Sequence, residues 1–306
     1  MTNHIPERYP SDTEMRDAIS KYFPNEANNL AELCHRDETG FLGDFHIDVF
    51  AELSDFDENS SIVARLKIAY ILISNLYFLL DATVDGHLRH PSDVLYTPHL
   101  VFLTLTFIYE IADEMDLTKE QKRELSRIIS QKMSANAKAV KNEMMYRSQD
   151  VNSHDYQSIV GRSNSTILFY EIMSYLQKQE PNIQVKQILN DIVYYMQLGD
   201  DLGDWKKDLA EGNYTPLLQE CFKRIPNAKK HELSLVEQEL YINGVYEEYV
   251  SQIINGFDRL YTQTTSLKGI SVTKLCAYIE KKRKDAYGLL EEMLKTKVVF
   301  LQNTSN

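Results

Sequence analysis

The sequence predicts an all-α protein, and three observations carry that prediction. Between His99 and Val160 there is neither glycine nor proline. Residues 68–80 are apolar on nearly every face of a helix and show none of the alternation of a half-buried strand. Only 11 Gly and 8 Pro occur in 306 residues, too few for a turn-rich β fold. The simplest architecture is a single helical domain over residues 1–306, with 1–10 and 302–306 as loose ends. No fixed-period repeat and no linker rich in Gly, Ser or Pro interrupts it.

Helical patterns recur around 61–89, 97–115, 118–147, 163–178, 183–211, 233–265 and 270–300. The first, apolar on most faces from Ile68 to Leu80, belongs in the middle of a bundle. The segment 118–147 instead shows a solvated face in Lys119, Lys122, Arg123, Glu124 and Arg127, opened by a capping-box pattern, Thr118 with Gln121. Short punctuation separates the helices: 90–93, 180–182, 212–216 and 224–227, each containing proline and reading as a turn or helix start.

Composition limits the function classes. Apolar residues at 43% against 25% charged exclude a disordered chain. Lys and Arg number 33 and Asp and Glu 45, so the net charge of −12 argues against a nucleic-acid partner, whose phosphates call for basic side chains. Cys34, Cys221 and Cys276 are odd in number and far apart, which predicts no disulfide framework and a reducing, cytoplasmic setting. No apolar signal-peptide core opens the chain, and the run at 68–80 is too short to span a bilayer, so no stable membrane span is expected.

Two acidic clusters stand out. Asp200, Asp204 and Asp208 recur at i, i+4, i+8 and form one stripe over two turns of a helix, with two glycines inside it. Like charges at this spacing repel, and a divalent cation would reverse the sign of that cost. The alternative is a solvated acidic face eased by Lys206 and Lys207. Asp81 and Asp85, again i, i+4, emerge from the most apolar helix near its end at Gly86. Carboxylates there are costly unless paired, metal-bound or turned to water. Together the clusters suit a bundle in which carboxylates on different helices hold metal between them. A third element is Arg162, just after Gly161 at a helix start. That is a poor place for a cation unless an anion binds there; a surface Arg after a turn is the alternative. Of 32 aromatic residues, Tyr77, Phe78, Tyr194 and Tyr195 lie within two turns of the Asp clusters, and Phe169 follows Arg162. These are candidate walls of an apolar pocket or core packing. His87 and His90 read as polar helix-end and turn residues.

The stretch 200–212 resembles the second metal motif of class I terpene synthases, N/D-D-x-x-S/T/D-x-x-K-E/D-x-x-x-G. Asp200, Asp204 and Asp208 fall on its metal ligands, Lys207 on its diphosphate-contacting Lys and Gly212 on its closing Gly. The same stretch is similar to Q-x-x-D-D-x-x-D of trans-prenyltransferases, through Gln197, Asp200, Asp201 and Asp204. Asp81 to Asp85 resembles the D-x-x-x-D form of squalene and phytoene synthases, with Ala82 where D-D-x-x-D has its second Asp. Arg162 stands about where terpene synthases carry a diphosphate-sensing Arg. The resemblance covers roughly residues 60–215. It implies a class I terpenoid synthase bundle with a central apolar pocket and three Mg²⁺ ions, with Mn²⁺ as a substitute, between the Asp clusters. It also implies an allylic prenyl diphosphate substrate. Departures favour one substrate over two: no Gly-Lys-Arg segment precedes the first motif, and only Arg89 stands where an Arg-Arg pair follows it. The C-terminal Arg-Tyr pair is missing, with Arg259 and Tyr261, or Arg283, as weak substitutes. The expectation is therefore a terpene cyclase, a lyase of isoprenoid biosynthesis. The alternatives are a trans-prenyltransferase, a condensing enzyme of the squalene or phytoene synthase kind, and a non-catalytic helical binding protein. Oligomeric state stays open, a homodimer included.

Overall fold

The computed structural model describes residues 10–35, 47–86, 88, 90–146, 160–161, 164–230 and 232–304, and every regular element among them is a helix. The α-helices in order are α1 (Asp12–Ser20), α2 (Ala27–His35), α3 (Ile47–Leu53), α4 (Ser61–Asp85), α5 (Thr97–Glu114), α6 (Lys119–Tyr146), α7 (Asn164–Leu176), α8 (Ile183–Glu211), α9 (Pro216–Phe222), α10 (Leu233–Glu237), α11 (Val245–Thr265) and α12 (Thr273–Thr304). The chain divides into two compact units: Met1–Ser130 with Leu168–Pro181, and Gln131–Ile167 with Asn182–Asn306.

The first unit is built around α4. Ser60 caps its start by accepting the Val63 N–H (3.2 Å), and Gly86 ends it in the left-handed region. Between them Leu66, Leu72 and Leu76 are buried, and α5 packs Leu100, Leu103 and Phe107 on the same core. Each such side chain contributes about 1.5–3 kcal/mol on leaving water. From α7, Phe169 meets Tyr70 edge-on at 5.2 Å and Tyr170 lies 6.3 Å from Phe50. The capping box expected before α6 is present: Thr118 N–H donates to Gln121 Oε1 (2.8 Å) and Gln121 N–H to Thr118 Oγ (3.2 Å). Two stretches, Ser61–Leu80 and Pro91–Glu114, are long and apolar enough to cross a membrane by length and composition; 67% and 33% of them are buried within the protein.

The second unit is built around α8, α11 and α12. The helical pattern expected continuously over 233–265 is broken. Residues 238–242 widen into a π-helical turn, and Gly244, at φ +85°, precedes α11. Hydrophobic spacing carries across this break, so the pattern alone does not reveal it. Where α8 crosses α11, Gly256 lets the Tyr195 ring lie against backbone: a Cβ there would come within 2.3 Å of Tyr195 Cζ. Gly256→Ala should therefore destabilise the fold. Overpacking costs about 1–3 kcal/mol, and alanine's better helix propensity returns at most about 1 kcal/mol. A urea midpoint equal to or above wild type would show that the ring swings aside freely.

Candidate functional site

Helix α8 carries half of the expected site residues. Asn182 caps it, its Oδ1 accepting the N–H groups of Gln184 (2.9 Å) and Val185 (3.1 Å). The other end stops at Gly212, whose φ of +72° is open to glycine and costly for residues with a Cβ. The Gly212 N–H returns to the carbonyls of Asp208 and Leu209, and the Asn213 N–H to that of Asp208 (2.8 Å). The closing Gly of the motif is thus the C-cap that fixes where the acidic stripe ends.

The stripe is not uniform. Each step of four residues advances about 40° beyond a full turn at 3.6 residues per turn. Asp200 and Asp204 are exposed, while Asp208 has rotated into the packed side of the helix and is 8% exposed. Burial pushes the Asp208 carboxyl up from 3.8 to about 6. A hydrogen bond from Asn213 Nδ2 (2.8 Å) opposes that, and the neighbouring charge of Asp204 adds to it. Asp201, between the first two, is buried and accepts the Tyr249 hydroxyl at 2.9 Å. That hydroxyl is pushed well up, first by burial and then by the Asp201 charge. Asp201 is therefore tied to α11. Lys207 is exposed on α8. Lys206 reaches Glu237 at 3.1 Å and lies over the Trp205 ring, so its charge is engaged away from the stripe.

The aromatic candidates separate by environment. Tyr194 is half-buried, its hydroxyl pushed up by burial and then by Tyr195. Tyr195 is core: its ring meets Tyr194 edge-on at 5.2 Å, and its oxygen accepts Arg259 Nη2 at 2.6 Å. Tyr194 also lines a cleft of about 390 Å³ with Leu198, Glu220, Lys223, Tyr249 and Gln252. This lining is polar and does not suit a hydrocarbon chain. In the first unit, Tyr77 and Phe78 are half-buried on α4, the Tyr77 hydroxyl raised to about 12 by burial. Phe169 is fully buried in the core of that unit.

Asp81 and Asp85 occupy the last turns of α4, just ahead of the Gly86 cap; their side chains lie outside the described residues, as does Arg162 altogether. By helix register, positions 74, 78, 81 and 85 share a face. On it the buried hydroxyl of Ser74 finds no hydrogen-bond partner among the described residues. Among the described residues no three His, Cys, Asp or Glu side chains gather to hold a metal ion by themselves. The donor chemistry nonetheless fits Mg²⁺, which binds through one or two carboxylates and takes its remaining ligands from water and substrate phosphate.

Three residues that matter here escaped the sequence reading: Asn213, which holds Asp208; Tyr249, which holds Asp201; and Gly256, which seats Tyr195. Only Asn213 had a local signal, lying in the turn after the closing glycine. Compared with known proteins, the chain matches no family model and no curated protein.

Proposed function

We propose that this chain is a class I terpene cyclase that ionises one allylic prenyl diphosphate and closes or rearranges the resulting carbocation. The observation that carries the reading is the coincidence on α8 of three aspartates at i, i+4, i+8 with a left-handed cap at Gly212, the two ends of the motif it resembles. Asp200, Asp204 and Asp208 would hold Mg²⁺, or Mn²⁺ in its place, and Asp81 and Asp85 are the candidate carboxylates of the first motif. The metal, when bound, supplies Lewis-acid stabilisation of the departing diphosphate. Lys207 adds positive charge to that leaving group, and Arg162 would do the same. The rings of Tyr77 and Phe78 offer π faces to a cation. Tyr195 and Phe169 are buried, each packed in the core of its own unit. The enzyme is read as cytoplasmic, acting on a small molecule without a nucleic-acid partner.

One experiment tests the reading and its nearest rival. Purified protein is incubated with Mg²⁺ and geranyl, farnesyl or geranylgeranyl diphosphate, with and without labelled isopentenyl diphosphate. The expected result is diphosphate release and an unlabelled hydrocarbon or alcohol from a single allylic substrate. Label in a longer prenyl chain would replace the cyclase by a prenyltransferase. Failure to release diphosphate from any of the three would leave a helical binding protein.

A further inference from the structure

The helix α12 presents two kinds of apolar surface. One face buries Leu275, Ile279, Ala286 and Met293 within the second unit, and on the same side Lys297 pairs with Glu247 at 2.9 Å. About a quarter turn around the helix lies a second line: Tyr287, Leu290, Leu294, Val298 and Leu301. Tyr287 is 44% exposed, Leu294 48%, Val298 54% and Leu301 45%, with Leu290 half-buried. Isolated exposed apolar side chains are ordinary, but five in one line along four turns mark an interaction surface.

The spacing of this line identifies its partner. Its steps are 3, 4, 4 and 3 residues, a palindrome centred on Leu294. A two-fold interface must be self-complementary, and a contact line that reads the same in both directions lets an antiparallel pair of identical helices meet residue against residue. Here Tyr287 falls opposite the partner's Leu301, Leu290 opposite the partner's Val298, and Leu294 meets the partner's Leu294 on the axis. The flanking charges agree. Glu291 and Lys295 lie on one flank of the line. The two-fold rotation brings like flanks together, so Glu291 faces the partner's Lys295 and the reverse. We propose that α12 joins two copies of the chain as an antiparallel helix pair along Tyr287, Leu294 and Leu301. This is independent of the catalytic reading.

Sedimentation of the full chain over a concentration series tests it. Wild type should show a reversible monomer–dimer equilibrium. Leu294→Glu, which sets two carboxylates on the axis at a half-exposed position, should raise the dissociation constant at least tenfold with an unchanged circular dichroism spectrum. Glu291→Lys should also weaken the dimer, and Glu291→Lys with Lys295→Glu should restore it, because the swap rebuilds the cross-axis pairing as well as the i, i+4 pair within each helix; an unchanged circular dichroism spectrum in both variants assigns the effect to the interface. A wild type that stays monomeric would overturn the proposal. So would a dimer indifferent to Leu294→Glu, or a monomer that binds phosphatidylglycerol vesicles through this face.

Discussion

Asp204→Ala should remove turnover while leaving the fold intact. Asp204 is exposed on α8, one turn from Asp200 and one turn from Asp208. Like charges at i, i+4 cost a helix about 0.2–0.5 kcal/mol per pair, so deleting the central one should be neutral or slightly stabilising in the absence of metal. If the stripe holds Mg²⁺ against a diphosphate, the same deletion takes away transition-state stabilisation. Losses of at least about 10²-fold in kcat are the scale for groups that tune or stabilise developing charge. Asp200→Ala should behave alike. A variant with near-normal kcat and an unchanged unfolding midpoint would make the stripe a solvated face. A variant that loses activity and stability together would point to a packing role. The informative result is the split: activity lost, midpoint kept.

The parts of the fold legible in the sequence are those with local causes. The limits of α8 follow from Asn182 and Gly212, and the start of α6 from Thr118 and Gln121, because caps are made by neighbours in sequence. The apolar stretch of α4 is legible because no other element tolerates apolar residues on nearly every face. The short helix α1 has a signal of the same kind, a capping box between Ser11 and Glu14, lying in a region the hydrophobic pattern does not pick out. What sequence does not reveal is the choice of partner. Tyr195 sits next to Tyr194 and carries the same chemistry, yet it turns toward α11 because a glycine waits there, 61 residues on. Phe169 follows Arg162 in sequence but packs on Tyr70. Asp201 and Asp200 are adjacent in an acidic motif, and the step of about 100° between them turns one to Tyr249 and leaves the other on the exposed face. The all-α class follows from period and composition; the roles of individual site residues follow from tertiary neighbours that no spacing encodes.

Asp208→Asn should stabilise the metal-free protein at neutral pH and cost it its ligand response. The Asp208 carboxyl titrates near 6 in the folded chain against 3.8 as an ordinary aspartate, burial being the main cause. A carboxyl raised in the folded state keeps its proton longer there than in the unfolded state, so stability falls as pH rises between the two values. Below pH 3.8 both states are protonated and the penalty is absent. Above about pH 6 it is fully present, with a ceiling of about 3 kcal/mol. Asparagine keeps an acceptor for the Asn213 amide, which bonds Asp208 at 2.8 Å, and removes the charge. The variant's urea midpoint should therefore exceed wild type at pH 8 and approach it at pH 4. Equal midpoints at both pH values would mean that the carboxylate is not desolvated. Such a penalty on one carboxylate of a motif is sensible where a cation neutralises it in use. With Mg²⁺ and inorganic diphosphate the order should narrow or invert: wild type gains stability by mass action, the variant much less. A wild type whose midpoint ignores Mg²⁺ and diphosphate at pH 8, while Asp208→Asn still raises it, would keep the burial cost and remove the metal site as its reason.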